Sequence, residues 1–497
     1  MHLKSDSILY DVLSQKDTRN VLGIFAALAT AFILGRQIAR GQVLFFMLLA
    51  GFALFLLIFF KKESVIVLLP FILFLPNYGL DIPGPWAVTI EDAFILTLFA
   101  AHLSRCIIKR KPIVPRGSPI MLPLLVFIGI ATLSLWQPAW TGTGKLIQNI
   151  KDLMRITELA LLYMVLYDVL DSGEKAGKLM RNLVVLGLFF VMVSYYIYLT
   201  VSPFFYNLLT MKPAYIYFPP YDVLRMVSMA GSTSQTGIFY AILLAFALYH
   251  PMLKKTSGWR FFRMVMIVLI SSCIVLTLNR GTWVGLLLGF MVLVLRGKLD
   301  WKKITIAAMI AVALLAIFLV TALGHIDLEK EALKVVDVSR STGYARWIRW
   351  VSSINVIQNH PILGVGYNNY AYVYGLYSVV EGNTALYGSP HNMFVDVITG
   401  TGIVGFAAFL FFLGRLWNMN KRIAISEDRE LRSIGTGLLF AFASFVGASM
   451  FDSFFFKPHH SAILIATTWA LSTVYWRIAT GRIPMRSSNG SGNGRVS

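Results

Sequence analysis

The sequence predicts an all-α polytopic membrane protein with about 14 transmembrane helices. Three observations carry this expectation. Apolar runs close to the ~20 residues needed to cross a bilayer recur along nearly the whole chain. Hydrophobic residues make up 57% of the 497 positions and charged residues only 14%, far from the balance of a water-soluble domain. The polar stretches between the runs carry no alternating strand pattern. A single membrane domain over 1–497 is therefore expected.

The spans fall near 21–35, 43–60, 63–77, 91–106, 119–136, 153–170, 181–200, 236–253, 262–279, 282–297, 305–323, 400–417, 434–452 and 461–477. The run from Phe261 to Leu295 is too long for one untilted pass, and Asn279-Arg-Gly-Thr282 divides it into two helices joined by a tight turn. Residues 1–20 mix both charge signs, and the first apolar run lacks a small-residue cleavage site, so no removable signal is expected. The tail 487–497, rich in Ser, Gly and Asn, reads as a disordered cytoplasmic segment. No internal repeat is apparent, which weighs against a transporter built from duplicated halves.

The net charge of +20 would point to nucleic acid in a soluble protein. In a membrane protein it points instead to cytoplasmic loops facing anionic head groups, so a lipid bilayer is expected as partner and nucleic acid is not. With both termini inside, 30 of the 44 Lys and Arg fall on cytoplasmic segments, although Arg36 and Arg40 oppose that orientation. The bias puts 324–398 outside as a large extracytoplasmic loop. Cys106 and Cys273 lie in or beside spans, have no metal-ligand spacing and are not expected to pair.

The loop 324–398 needs a reason to exist. It opens on a charged run, passes through Ser339-Arg-Ser-Thr-Gly-Tyr-Ala-Arg-Trp-Ile-Arg-Trp350 and ends in Ser389-Pro-His-Asn392. Read as a helix, 344–359 aligns Trp347, Val351, Ile354 and Gln358 in one stripe with Arg346, Arg349 and Ser353 beside it, as in an interfacial helix facing membrane or core. Pro361 cannot continue it, and Gly364 and Gly366 allow a tight return. Arg346 and Arg349 could meet lipid head groups or hold a substrate anion.

Arg280 sits where one apolar run ends and the next begins. A guanidinium there either snorkels to head groups and helix carbonyls or clamps phosphate with paired donors. His391 can exchange a proton near neutral pH, as a base for a hydroxyl nucleophile must, or it is a hydrogen-bonded structural residue. Asn392 is placed to cap the following helix. His459-His460 could be catalytic, metal-binding or merely solvated. The sequence has no Walker loop, HExxH, outer-loop Asp-x-Asp or Gly-x-Ser-x-Gly, so neither a metal nor another cofactor is expected.

In order, these segments resemble the O-antigen ligase and Wzy-type polymerase superfamily. Leu278-Asn-Arg-Gly-Thr-Trp283 is similar to the family's Ser-Arg-Gly segment, with Asn279 where Ser is common. Arg346-Trp-Ile-Arg-Trp350 followed by His360-Pro-Ile-Leu-Gly-Val-Gly366 is similar to its Arg-x-x-x-Trp and Pro-x-x-Gly-x-Gly pattern. Pro390-His-Asn392 with Gly400-Thr-Gly-Ile-Val-Gly405 is similar to its His-Asn and Gly-rich helix start. The likeness covers roughly 225–415.

It implies a GT-C-type fold and metal-independent, inverting transfer of a glycan from an undecaprenyl-diphosphate carrier at the outer face of a bacterial inner membrane. Arg280 and Arg346 carry over as the diphosphate pair and His391 as the residue at the acceptor hydroxyl. Arg349 or Arg340 could stand in for Arg346. Trp350, Asn392 and Arg225 are further substrate-binding candidates, and Lys151 and Arg155 could extend the basic pathway. A polymerase of repeat units, with a possible chain-length regulator as partner, is the first expectation. A ligase acting on lipid A-core or protein is the alternative, and a lipid-linked glycan flippase is the rival from another class. A flippase should carry ionisable groups in mid-span, whereas here they are expected to collect at the outer edge.

Overall fold

The structure, a computed structural model, describes residues 43–73, 79–80, 88–142, 144–200, 225–228, 231–251, 256–295, 342–380, 389–454 and 460–485. The expected spans 21–35 and 305–323, the opening of the large loop, Arg340, His459 and the tail 487–497 lie outside them. The other twelve expected spans each overlap a described helix.

In chain order the helices are α1 (Val43–Phe60), α2 (Val65–Ile72), α3 (Ile90–Ile108), α4 (Met121–Ser134), α5 (Trp136–Thr141), α6 (Leu146–Val169), α7 (Gly173–Thr200) and α8 (Thr233–Tyr249). They continue as α9 (Ser257–Leu276), α10 (Arg280–Leu295), α11 (Thr342–Asn359), α12 (Tyr370–Tyr377), α13 (Met393–Ala424), α14 (Arg429–Ser449) and α15 (His460–Ala479). Apart from a two-residue antiparallel ladder, Gly79–Leu80 against Val88–Thr89, the named elements are helical. Among the described residues, six helical segments are long and apolar enough to cross a membrane: Met121–Thr141, Gly173–Tyr198, Ser257–Leu276, Met393–Ala424, Arg429–Ser449 and His460–Ala479. This is a multi-pass membrane protein.

Local chemistry starts the helices where the backbone needs it. Thr89 and Asp92 exchange hydrogen bonds with each other's amides in a capping box at α3. Asp428 accepts from the amides of Glu430 and Leu431 at α14, and Asn392 does the same for Phe394 and Val395 at α13. Each cap satisfies amides that the first turn leaves without a helical carbonyl.

Burial sorts the helices into centre and rim. Every residue of α8 from Gln235 to Ala247 is buried, so this helix is apolar all round and sits at the middle of the bundle. By contrast α9 buries only Met266, Ile270, Cys273 and Ile274 and turns the rest outward. Cys106 and Cys273 are both buried and free.

Two glycine devices set the geometry of the site. Gly281, Gly285 and Gly289 form a small-residue stripe along α10, packed on the C-terminal half of α14. A Cβ on Gly281 would lie 2.7 Å from that of Phe451, and one on Gly285 would strike the Ser444 carbonyl. Without side chains in the way the two backbones approach closely, which sets Arg280 at the head of α10 beside the 451–454 turn. The second device joins α11 to α13. Gly364 (φ +66°) and Gly366 (φ +103°) turn the chain back after Pro361, and Gly402 (φ +64°) breaks the helical geometry of α13. Backbone bonds then lace the two bends together: Val365 N to Thr399 O at 2.9 Å, Gly366 N to Gly400 O at 3.1 Å and Ile403 N to Pro361 O at 2.8 Å.

The helix expected over 344–359 forms, and its stripe faces away from the body: Trp347 and Ile354 are exposed while Ser352, Ser353 and Val356 are buried. Behind it, Val356, Val365, Tyr370, Val373 and Tyr374 make a small second core between α11 and α12.

Candidate functional site

Arg280 opens α10. Asn279 caps that helix, its Oδ1 accepting from Thr282 N at 2.8 Å and Thr282 Oγ1 at 3.1 Å. Asn and Ser are both strong caps, so Asn279 in place of Ser preserves the local structure. Leu278 just before it has φ +49°, an unfavourable backbone for a leucine, which throws the chain sharply from α9 into α10. Arg280 is exposed and has no carboxylate partner among the described residues.

Arg346 projects from α11 in a half-buried position. Burial lowers its pKa, the negative charge of Asp452 works against that, and the positive charges of Arg349 and Arg280 add to it. Arg280, Arg349 and Asp452 are therefore each within electrostatic reach of Arg346, although the four come from three separate parts of the chain. His391 completes the group: its Nδ1 lies 3.6 Å from Asp452 Oδ1. Arg346 and His391 thus meet the same carboxylate, and Arg280 lies within electrostatic reach of Arg346.

Asp452 is the residue that sequence reasoning missed. It stands in Phe451-Asp-Ser-Phe454 and was absorbed into the end of the apolar run 434–452. An acidic residue closing a membrane span was the available signal. It is largely buried and well held: Ser453 N donates to Oδ1 at 2.8 Å, and the Ser234 hydroxyl donates to Oδ2. The Ser453 hydroxyl in turn donates to Asp396, buried in the first turn of α13. A carboxylate held this firmly presents a fixed negative charge to the imidazole 3.6 Å away.

Arg349 and Trp350 are engaged with the protein itself. Arg349 Nη1 donates to Ser389 O at 3.1 Å, and Trp350 Nε1 donates to Pro390 O at 2.8 Å. They hold the two residues before His391, whose own backbone lies at φ +49°. Arg225 precedes Met226, whose N donates to Leu276 O at 2.9 Å beside the α9–α10 turn. Arg155 pairs with Asp152 at 3.0 Å in α6. His460 is not solvated: it is buried at the head of α15 with Nε2 3.1 Å from Glu91 Oε1. Glu158, buried halfway along α6, departs from the outer-edge pattern of ionisable groups expected from the sequence.

The arrangement puts Arg280 and Arg349 within electrostatic reach of Arg346, and sets both Arg346 and an imidazole against the Asp452 carboxylate. Excess positive charge suits a polyanion, and the imidazole can receive a proton from a hydroxyl beside it. Residues 265–410 match the family model of the O-antigen ligases. The superfamily resemblance read from the sequence holds over this segment. The O-antigen ligase match carries Arg280, Arg346 and His391, while Asp452 lies beyond it. Among curated proteins, none matches the chain.

Proposed function

We propose that this protein is a glycosyltransferase of about 14 spans and GT-C type, polymerising undecaprenyl-diphosphate-linked repeat units at the outer face of a bacterial inner membrane. The observation that carries the proposal is the joint approach of Arg280 and Arg346 beside the His391–Asp452 pair. Both termini are then cytoplasmic, and the loop 324–398 faces the periplasm.

In the transfer, an acceptor hydroxyl attacks the anomeric carbon of the donor sugar and the sugar–phosphate bond breaks. The electron pair goes to the lipid diphosphate, whose growing charge Arg280 and Arg346 neutralise. His391 takes the hydroxyl proton, and Asp452 stabilises the imidazolium that results. A single displacement inverts the anomeric configuration. Arg349 and Trp350 contribute by fixing the backbone before His391, and Asn392 by capping α13 immediately after it.

The test uses purified protein with undecaprenyl-diphosphate-linked repeat units, with and without a chelator. Laddered products unaffected by chelation are expected, and Arg280→Ala or Arg346→Ala should each lower the rate about 10²–10³-fold. A single transfer that needs an added lipid or protein acceptor would assign the ligase reaction instead. Full-length polymer from both arginine variants would remove the catalytic assignment.

A further inference from the structure

Away from the arginines, the C-terminal end of α11 and the end of α12 enclose an open hollow of about 430 Å³ lined by Asn355, Asn359, His360, Leu376, Tyr377 and Ser378. Its volume falls in the range of small-molecule sites, roughly 300–1,000 Å³. Among the described residues the lining holds no Lys, Arg, Asp or Glu, so none of them selects a phosphate or a carboxylate by charge. What it offers is hydrogen-bonding amide, hydroxyl and imidazole groups beside one exposed aliphatic side chain.

The polarity of these groups can be worked out from their partners. Gln137 Nε2, which can only donate, lies 3.4 Å from His360 Nδ1, so Nδ1 accepts. The ring proton is then on Nε2, which donates to Tyr377 Oη at 2.6 Å. Burial lowers the His360 pKa, in keeping with this neutral tautomer. Tyr377 therefore keeps its own hydroxyl hydrogen to donate to something else. On the other wall, Asn355 Nδ2 donates to Tyr377 O at 3.0 Å and Asn359 Nδ2 donates to Asn355 O at 2.7 Å. Each amide nitrogen gives one N–H to the backbone, which leaves the two amide oxygens as acceptors and one further N–H apiece. The Tyr377 hydroxyl donor, the two amide groups with both acceptor and donor capacity, and the Leu376 side chain match the alternating hydroxyls and C–H face of a neutral sugar ring.

The hollow is also held at a set distance from the reaction. Asn355 and Asn359 stand 9 and 13 residues beyond Arg346 on the same helix, about 14–20 Å along its axis at 1.5 Å per residue. The α11–α12 core and the bond from the Tyr370 hydroxyl to Arg349 O keep the two walls in register with the arginines. The Trp136–Trp140 pair, stacked with centroids 5.6 Å apart and largely exposed, flanks Gln137 on the same side.

We infer that this hollow is a remote saccharide subsite, which binds a neutral sugar of the glycan several units away from the bond being made. The inference rests on the glycosyl-transfer reading for its physiological ligand. Its test does not require transfer.

The probe is the water-soluble oligosaccharide released by mild acid from the lipid-linked glycans of cells that express the protein. Its binding to the purified full-length chain is followed by calorimetry. Wild type should bind. Tyr377→Phe and Asn359→Ala should each weaken binding about 3–10-fold, the worth of one neutral hydrogen bond. Asn359→Trp, which fills the hollow from an exposed position, should abolish it, with unchanged melting temperature as the check on folding. Arg280→Ala should bind like wild type even though it fails in transfer. If wild type does not bind, or if all three hollow variants bind as wild type does, there is no subsite here. Loss of transfer in Arg280→Ala is scored separately, so failure of the reaction assignment is distinguishable from failure of the subsite.

Discussion

His391 holds a left-handed backbone, and a non-glycine residue in that region stores strain of order 1 kcal/mol. Arg349 and Trp350 keep the strain in place by holding the carbonyls of Ser389 and Pro390. The left-handed region is tolerated best by Asn, Asp and His and worst by β-branched residues. His391→Asn should therefore keep the melting temperature of wild type while losing the proton acceptor, and His391→Val should lose both activity and stability. Thermal unfolding of the two variants beside their transfer rates separates the chemical role from the conformational one. Asp452→Asn is expected to lower kcat about 10²-fold or more with KM little changed, because an amide facing the imidazole no longer stabilises its charged form. Ser234→Ala removes only one donor to that carboxylate, and its effect should be about tenfold or less. If Asp452→Asn turned over at the wild-type rate, His391 would be working without its neighbour.

At the scale of elements, two glycine motifs nearly forty residues apart prove to be halves of one joint. Pro361-Ile-Leu-Gly-Val-Gly366 and Gly400-Thr-Gly402 were legible in the sequence as a helix stop and a Gly-rich helix start. Their mutual packing was not legible, because a backbone-to-backbone contact leaves no side-chain pattern to read. The joint fixes α11 against α13 and so fixes Arg346 against His391. Gly364→Ala would combine a positive φ with a Cβ driven into the Thr399 carbonyl. It should destabilise by at least about 1–3 kcal/mol and lower transfer disproportionately, since the arginine and histidine would no longer share one register. Gly142→Ala is the control: its φ is also positive, at +65°, but its Cβ would meet nothing within 4 Å. It should cost stability alone. Equal transfer losses in the two variants would show that strain, not the joint, governs activity.

Across the whole molecule, the sequence was legible wherever a single segment announces itself. The α9–α10 break at Asn279-Arg-Gly-Thr282, the amphipathic α11 and the Asn392 cap all follow from local periodicity and capping chemistry. Asp452 and the buried Glu91–His460 pair did not, because each is defined by residues far away in the chain. The same distant contacts organise the two ends of the bundle. At one end lie Arg280, His391, Asp452 and the α11–α12 lobe. At the other, Lys62 reaches Asp168 and Asp171, Lys175 reaches Asp171, and Arg482 reaches Gly117 O. The proposed orientation, drawn from the Lys and Arg bias, has the second end in the cytoplasm, and the proposed reaction needs the first end outside. Single cysteines in a Cys106→Ser, Cys273→Ser background decide this directly, since both native thiols are buried. Val379→Cys on the α12 lobe should react with a membrane-impermeant maleimide in intact spheroplasts, whereas Lys61→Cys and Glu427→Cys, both exposed positions, should react only after permeabilisation. The opposite pattern would put the arginine cluster at the cytoplasmic face, where a reaction on outward-facing lipid-linked glycan cannot occur.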